Sequence, residues 1–152
     1  KGKSGCLWVK RVLPDHKDLF FERVRGMQVF DTVGAHVLAD FWGCQFEKLN
    51  DAQFLMDSLR QAAHSAKMTI LGERSHKFEP QGFTGLLLLA ESHISIHTYP
   101  ERGYAAIDVF TCGSGLTQKA IEHLRNALRP TSVIEMTVRR GTEEGLLQTV
   151  AS

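Results

Sequence analysis

From Gly34 onward, Val37, Ala39 and Phe41 interleave with His36, Leu38 and Asp40, and this period of two predicts a strand that Gly43 closes. The period then changes. Phe54, Leu55, Leu59, Ala62 and Ala63 recur at helical spacing behind Asn50 and Asp51, either of which can cap a first turn, so a helix with one buried face is predicted to near Lys67. An extended pattern resumes at Met68–Leu71 and runs towards Phe78, where Pro80, Gln81 and Gly82 break it. Leu86 to Leu89 is apolar at every position, which predicts a central strand covered on both faces. Glu91 to Thr98 alternates again, with Ile94 and Ile96 on one face and His93, Ser95 and His97 on the other, before Pro100 and Gly103 turn the chain. A strand over Tyr104–Thr111, a loop at Cys112-Gly113-Ser114-Gly115, a helix from about Thr117 to Leu128 and a last strand around Val133–Arg139 complete the pattern.

The predicted order is β-α-β-β-β-α-β, and several of its β-to-β steps are too short for crossovers. This predicts an α+β fold, a two-layer sandwich of a mainly antiparallel sheet with helices on one face. Residues 1–31 read as an N-terminal extension and 32–152 as the main domain. Seven Lys or Arg against four Asp or Glu make residues 1–33 locally basic. Within them Leu19, Phe20, Val24 and Met27 could place a short helix over Lys17–Val29.

Composition narrows the function classes. With 152 residues, 43% of them hydrophobic, the chain can bury a core as one compact domain. Eighteen Lys and Arg against 17 Asp and Glu leave a charge of +1, so nothing in the overall balance advertises nucleic acid or an anionic membrane. The longest apolar run falls far short of the roughly 20 residues that span a bilayer. Three widely spaced cysteines, Cys6, Cys44 and Cys112, with no signal-peptide pattern before them, argue against a disulfide framework and for the cytoplasm. A first residue other than Met implies a processed, truncated or tagged start.

The P-loop, GxGxxG, GxSxG, CxxC and HExxH patterns are all missing, so chemistry must come from something less generic. The densest candidate is Glu91-Ser92-His93-Ile94-Ser95-Ile96-His97-Thr98-Tyr99-Pro100-Glu101, where hydroxyls, imidazoles and carboxylates crowd a core-like strand. Its plainest reading is a solvated strand face. A metal reading, with His93, His97 and Cys112 or Cys44 as ligands, meets the objection that an i, i+4 pair on a strand is separated by roughly 13 Å. No metal is therefore assigned. Cys112 is by default a small buried hydrophobe, but a thiol at a strand end beside a glycine-rich loop is also placed to donate a proton.

These eleven residues, followed by Gly-Tyr-Ala-Ala-Ile-Asp-Val-Phe-Thr-Cys-Gly at 103–113, closely resemble the prokaryotic S-adenosylmethionine decarboxylases. The resemblance extends through Gly34-Ala35-His36, Lys48-Leu49-Asn50-Asp51 and His76-Lys77-Phe78, covering roughly residues 32–139. It implies that the chain cuts itself between Glu91 and Ser92. The Ser92 hydroxyl attacks the preceding carbonyl, and elimination from the resulting ester converts Ser92 into a covalent pyruvoyl cofactor. The resemblance makes His97 the processing base, Thr84 the hydroxyl that steadies the intermediate, and Cys112 the proton donor in catalysis. Phe78 and Tyr99 match positions whose rings hold adenine, and Glu101 matches a carboxylate that reaches the ribose hydroxyls. The implied reaction is decarboxylation of S-adenosylmethionine, whose α-amine condenses with the pyruvoyl carbonyl, to the aminopropyl donor for spermidine synthesis.

Two departures bear on this reading. Thr84 stands where these enzymes more often carry Ser, and Ala35 where they usually carry a basic residue. The alternatives are a pyruvoyl-dependent decarboxylase of arginine or ornithine, or an uncleaved regulatory paralogue. Ser92 and His97 are five residues apart, so on a continuous strand they point to opposite faces about 16 Å from one another. A symmetric homodimer resolves this, and the resemblance implies one, processed to an α2β2 state and stacked as αββα, with composite sites from Ser92 and Cys112 of one protomer and Thr84 and His97 of the other.

Overall fold

A computed structural model describes residues 32–113, 116–142 and 147–151, so the helix read over Lys17–Val29 lies outside the described residues. The chain divides between residues 30 and 31 into two units, and every described residue belongs to the second. Its elements in chain order are β1 (Gly34–Trp42), α1 (Phe46–Leu49), α2 (Ala52–Ser65), β2 (Ile70–Lys77), β3 (Phe83–Leu89), β4 (Ser92–Tyr99), a short 3-10 turn (Pro100–Arg102), β5 (Tyr104–Cys112), α3 (Thr117–Leu128), β6 (Ser132–Arg140) and β7 (Leu147–Ala151).

The strands form one sheet in the order β2-β3-β4-β5-β1-β6-β7, with every neighbouring pair antiparallel. The α+β reading with an antiparallel sheet therefore holds. Helices α2 and α3 cover one face. Val37, Phe41, Ile94, Ile96, Ile107 and Val109 of the sheet bury themselves against Leu55, Leu59, Ala62, Ile121, Leu124 and Leu128 of the helices. Burying each of the larger side chains contributes about 1.5–3 kcal/mol, so this period-two to period-3.6 match drives the fold. Asp51 caps α2 by accepting from the Phe54 N–H at 2.9 Å. Gly85 lets α2 lie close to β3, because a Cβ there would sit 2.7 Å from Phe83 Cε1 and 3.0 Å from Leu59 Cδ1.

Three expectations need correction. Four strands, not three, separate the two long helices, because the chain turns at Ala90 and Glu91 between β3 and β4 without any glycine, proline or asparagine to mark the turn. The all-apolar run Leu86–Leu89 is not covered on both faces. Leu87 and Leu89 face the helices, while Leu86 and Leu88 are 41% and 55% exposed on the opposite face. The strand around Val133–Arg139 is not the last, since β7 pairs with it. The face opposite the helices also carries exposed Trp42, Tyr99 and Ile134, and the histidines of β1 and β4.

Candidate active site

The β3–β4 register sets Thr84 directly opposite His97. On this uncovered face Thr84 Oγ1 lies 2.9 Å from His97 Nδ1, a hydrogen bond made by cross-strand pairing alone. Beside it opens a cavity of about 520 Å³ whose walls include Phe78, Gln81, Thr84, His97, Tyr99 and Glu101. Phe78 and Tyr99 present half-exposed rings there. Tyr99 stacks on Tyr104, with ring centroids 5.6 Å apart, and Tyr104 stacks in turn on Trp42. The Tyr104 hydroxyl donates to Asp40 at 2.6 Å, and burial together with this carboxylate pushes the phenol up to about 12. The walls thus combine flat apolar surface with a carboxylate, a set suited to a nucleoside.

At the other end of β4 stand Glu91, Ser92 and Cys112. The Glu91 carbonyl accepts from the Cys112 N–H at 3.0 Å, and its side-chain Oε2 accepts from the Thr69 N–H at 3.0 Å. Ser92 has φ +156°, a backbone conformation that L side chains rarely adopt. Of the other positive-φ residues that are not glycine, Lys67 follows α2 closely and Arg129 caps α3, whereas Ser92 opens a strand. The Ser92 hydroxyl lies 3.3 Å from His93 Nδ1. A hydroxyl, an imidazole and a carbonyl already engaged by an amide donor thus meet at one peptide bond.

A polar network missed in the sequence surrounds His93. Its ring meets His36 edge-on, with centroids 6.1 Å apart, and Phe110 at 6.0 Å. His36 Nε2 lies 3.3 Å from Asp108 Oδ1, outside hydrogen-bonding alignment, while the other Asp108 oxygen accepts from the Ser95 hydroxyl. Arg140 reaches His36 Nδ1 at 3.5 Å and lies over the Phe110 ring. Burial lowers the pKa of His36, outweighing the opposing pull of Asp108. The signal was present as polar residues at alternate positions of β1, β4 and β5, but only the register places them on one face.

The predicted residues therefore gather as two groups, Thr84, His97, Phe78, Tyr99 and Glu101 in one and Glu91, Ser92 and Cys112 in the other. Length along β4 separates them. Among the described residues no three His, Cys, Asp or Glu side chains converge as metal ligands, and no helix is long and apolar enough to cross a membrane.

Residues 35–141 match the family described as S-adenosylmethionine decarboxylase. Over 116 residues the chain is 47% identical to the S-adenosylmethionine decarboxylase proenzyme of Brevibacillus brevis, spanning 76% of this chain and 87% of that protein. A second proenzyme of that name, from a Synechococcus species, is 53% identical over 98 residues, 64% of this chain and 77% of its own. The crystal structure of the adenosylmethionine decarboxylase from Aquifex aeolicus is similar with a TM-score of 0.70 at 36% identity, covering 74% of this chain and 93% of that one.

Proposed function

The chain belongs to the S-adenosylmethionine decarboxylase family, and from that premise we propose how it makes and uses its active site. It is a decarboxylase acting on S-adenosylmethionine, yielding the aminopropyl donor of polyamine synthesis. The relatives named above all carry this substrate in their names, which supports it over arginine or ornithine.

Processing begins at the Glu91–Ser92 bond, within residues 32–152, to which the first 31 are an appendage. The observation that carries this reading is the hydrogen bond from the Cys112 N–H to the Glu91 carbonyl oxygen. As the Ser92 hydroxyl attacks, negative charge grows on that oxygen, and an amide already aimed at it stabilises the charge without reorganisation. The strained φ of Ser92 favours a reaction that releases its peptide bond. These residues fit the making of a pyruvoyl group at position 92. When formed, that group supplies a carbonyl sink for the electrons released as carbon dioxide leaves.

His97, oriented by Thr84, takes the Cα proton of residue 92 during elimination. Cys112 returns a proton to the substrate carbon after decarboxylation. Phe78 and Tyr99 hold the adenine, and Glu101 takes the ribose hydroxyls. Since β4 separates His97 from Ser92 of the same chain by about 16 Å, the partner must supply it. We read the uncovered face, with exposed Leu86, Leu88 and Ile134 beside the histidines, as the surface that receives a second copy of this chain. The stacked product is an αββα homodimer, α2β2 once cut, with two composite sites.

Denaturing electrophoresis with intact-mass measurement tests the reading. Fragments of residues 1–91 and 92–152 are expected, the second with a blocked, carbonyl-bearing start. A chain that stays whole after prolonged incubation overturns it.

A further inference from the structure

We propose that His93 is the base and then the acid of the first processing step, the shift of the Glu91 acyl group from the Ser92 nitrogen to its oxygen. The inference rests on the self-cutting reading above but assigns a residue that reading leaves idle. It stands on the 3.3 Å contact between Ser92 Oγ and His93 Nδ1, at a bond whose carbonyl is already held by the Cys112 amide. His97 does not serve this step in the same chain, because it bonds Thr84 at the far end of β4.

The proton count closes on one imidazole. Nδ1 accepts the Ser92 hydroxyl proton as Oγ bonds to the Glu91 carbonyl carbon, giving a tetrahedral oxyanion under the Cys112 N–H. The carbon–nitrogen bond then breaks. The departing Ser92 amine takes the same proton back from Nδ1, leaving an ester and neutral His93. This role requires Nδ1 to be free of hydrogen before attack, with the proton on Nε2.

Across the β3 pairing His93 faces Leu88, and across β5 it faces Phe110. Among titratable groups His36 from β1 meets the His93 ring, and His36 in turn has Asp108 of β5 and Arg140 of β6 against it, with Cys112 at the end of β5. Burial keeps His36 from taking up a proton readily, so it does not set a second positive charge beside His93 near neutral pH. Ser95, two residues along β4 from His93, donates to Asp108, which lies against His36, and these contacts hold the cluster in place.

The full chain, made by cell-free synthesis so that cutting is followed from the start, provides the test. In His97→Ala the ester should accumulate, and hydroxylamine, which cleaves an ester but not an amide, should release residues 1–91. Adding His93→Gln should slow ester formation by about 10²- to 10⁴-fold, the usual worth of a positioned acid–base group. Added imidazole should restore part of the rate. His93→Asn serves as a second variant, and thermal melts establish that each is folded. Ester formation in the double variant as fast as in His97→Ala alone overturns the proposal while leaving self-cutting intact. Wild-type chain that never cuts defeats the processing reading itself, and this proposal with it.

Discussion

Ser92 and His97 lie on the same strand, β4, yet their side chains bond in opposite directions along it, Ser92 to His93 at one end and His97 to Thr84 at the other. A rigid strand cannot fold back on itself, so in the reading proposed above elimination at Ser92 takes the imidazole of a second chain. Co-expression of Ser92→Ala with His97→Ala, each unable to process alone, should restore cleavage of the His97→Ala chain. Its Ser92 meets an intact His97 in the mixed dimer. Heterodimers that form but remain uncut would place the site within one chain.

Cys112→Ala should keep its backbone amide on the Glu91 carbonyl and so should still process. Turnover should fall by about 10²- to 10⁴-fold for want of the thiol proton. Protonation at the wrong carbon should also transaminate and inactivate the cofactor over successive turnovers. Release of labelled carbon dioxide measures this, and normal turnover would remove the thiol from the mechanism.

Phe78 offers its half-exposed ring to the 520 Å³ cavity without supporting the core. Phe78→Ala should raise KM about five- to a hundredfold, the range for losing one base-stacking contact, with processing unchanged. Steady-state kinetics beside a cleavage gel separate the two effects. A variant of unchanged KM would put the adenine elsewhere.

Asp51 satisfies an otherwise unpaired N–H in the first turn of α2. Asp51→Ala should cost about 1 kcal/mol and lower Tm by a few degrees. Asp51→Ser should recover most of the loss, because a hydroxyl caps nearly as well. Thermal denaturation of the three chains decides it.

His36 carries a pH signature of opposite sign to the usual paired histidine. Its folded pKa lies below the ordinary 6.5 because burial disfavours the charged ring. The unfolded chain therefore binds a proton first as pH falls. Stability present above about 6.5 is lost as pH drops through the folded value. Chemical denaturation should show wild type losing more stability between pH 7 and pH 5 than His36→Gln. An equal loss in the two proteins would show that His36 contributes no linkage.

Much of the site could be read without coordinates, because its chemistry is concentrated in one short segment. Glu91-Ser92-His93 marks the bond proposed to be cut, and the period of two assigns His97 to the face opposite Ile94 and Ile96. The turn at Ala90–Glu91 was hidden, since neither residue carries the backbone preferences that mark turns. The exposure of Leu86 and Leu88 was hidden as well. An apolar side chain announces that it needs covering, not whether its own helices or another molecule will cover it.

The amino-acid order alone marked most of the elements, a capping residue at Asn50 or Asp51 and the candidate reactive residues, all of which depend on spacing over a few positions. Tertiary structure decided which of those residues meet. Thr84 reaches His97 through the β3–β4 register, the Cys112 amide reaches the Glu91 carbonyl through the β4–β5 pairing, and His36 reaches His93 across β5. Each contact joins positions far apart in the chain, fixed by ladder hydrogen bonds and by which face the helices bury. A one-residue slip in any ladder would turn the same side chains to the other face.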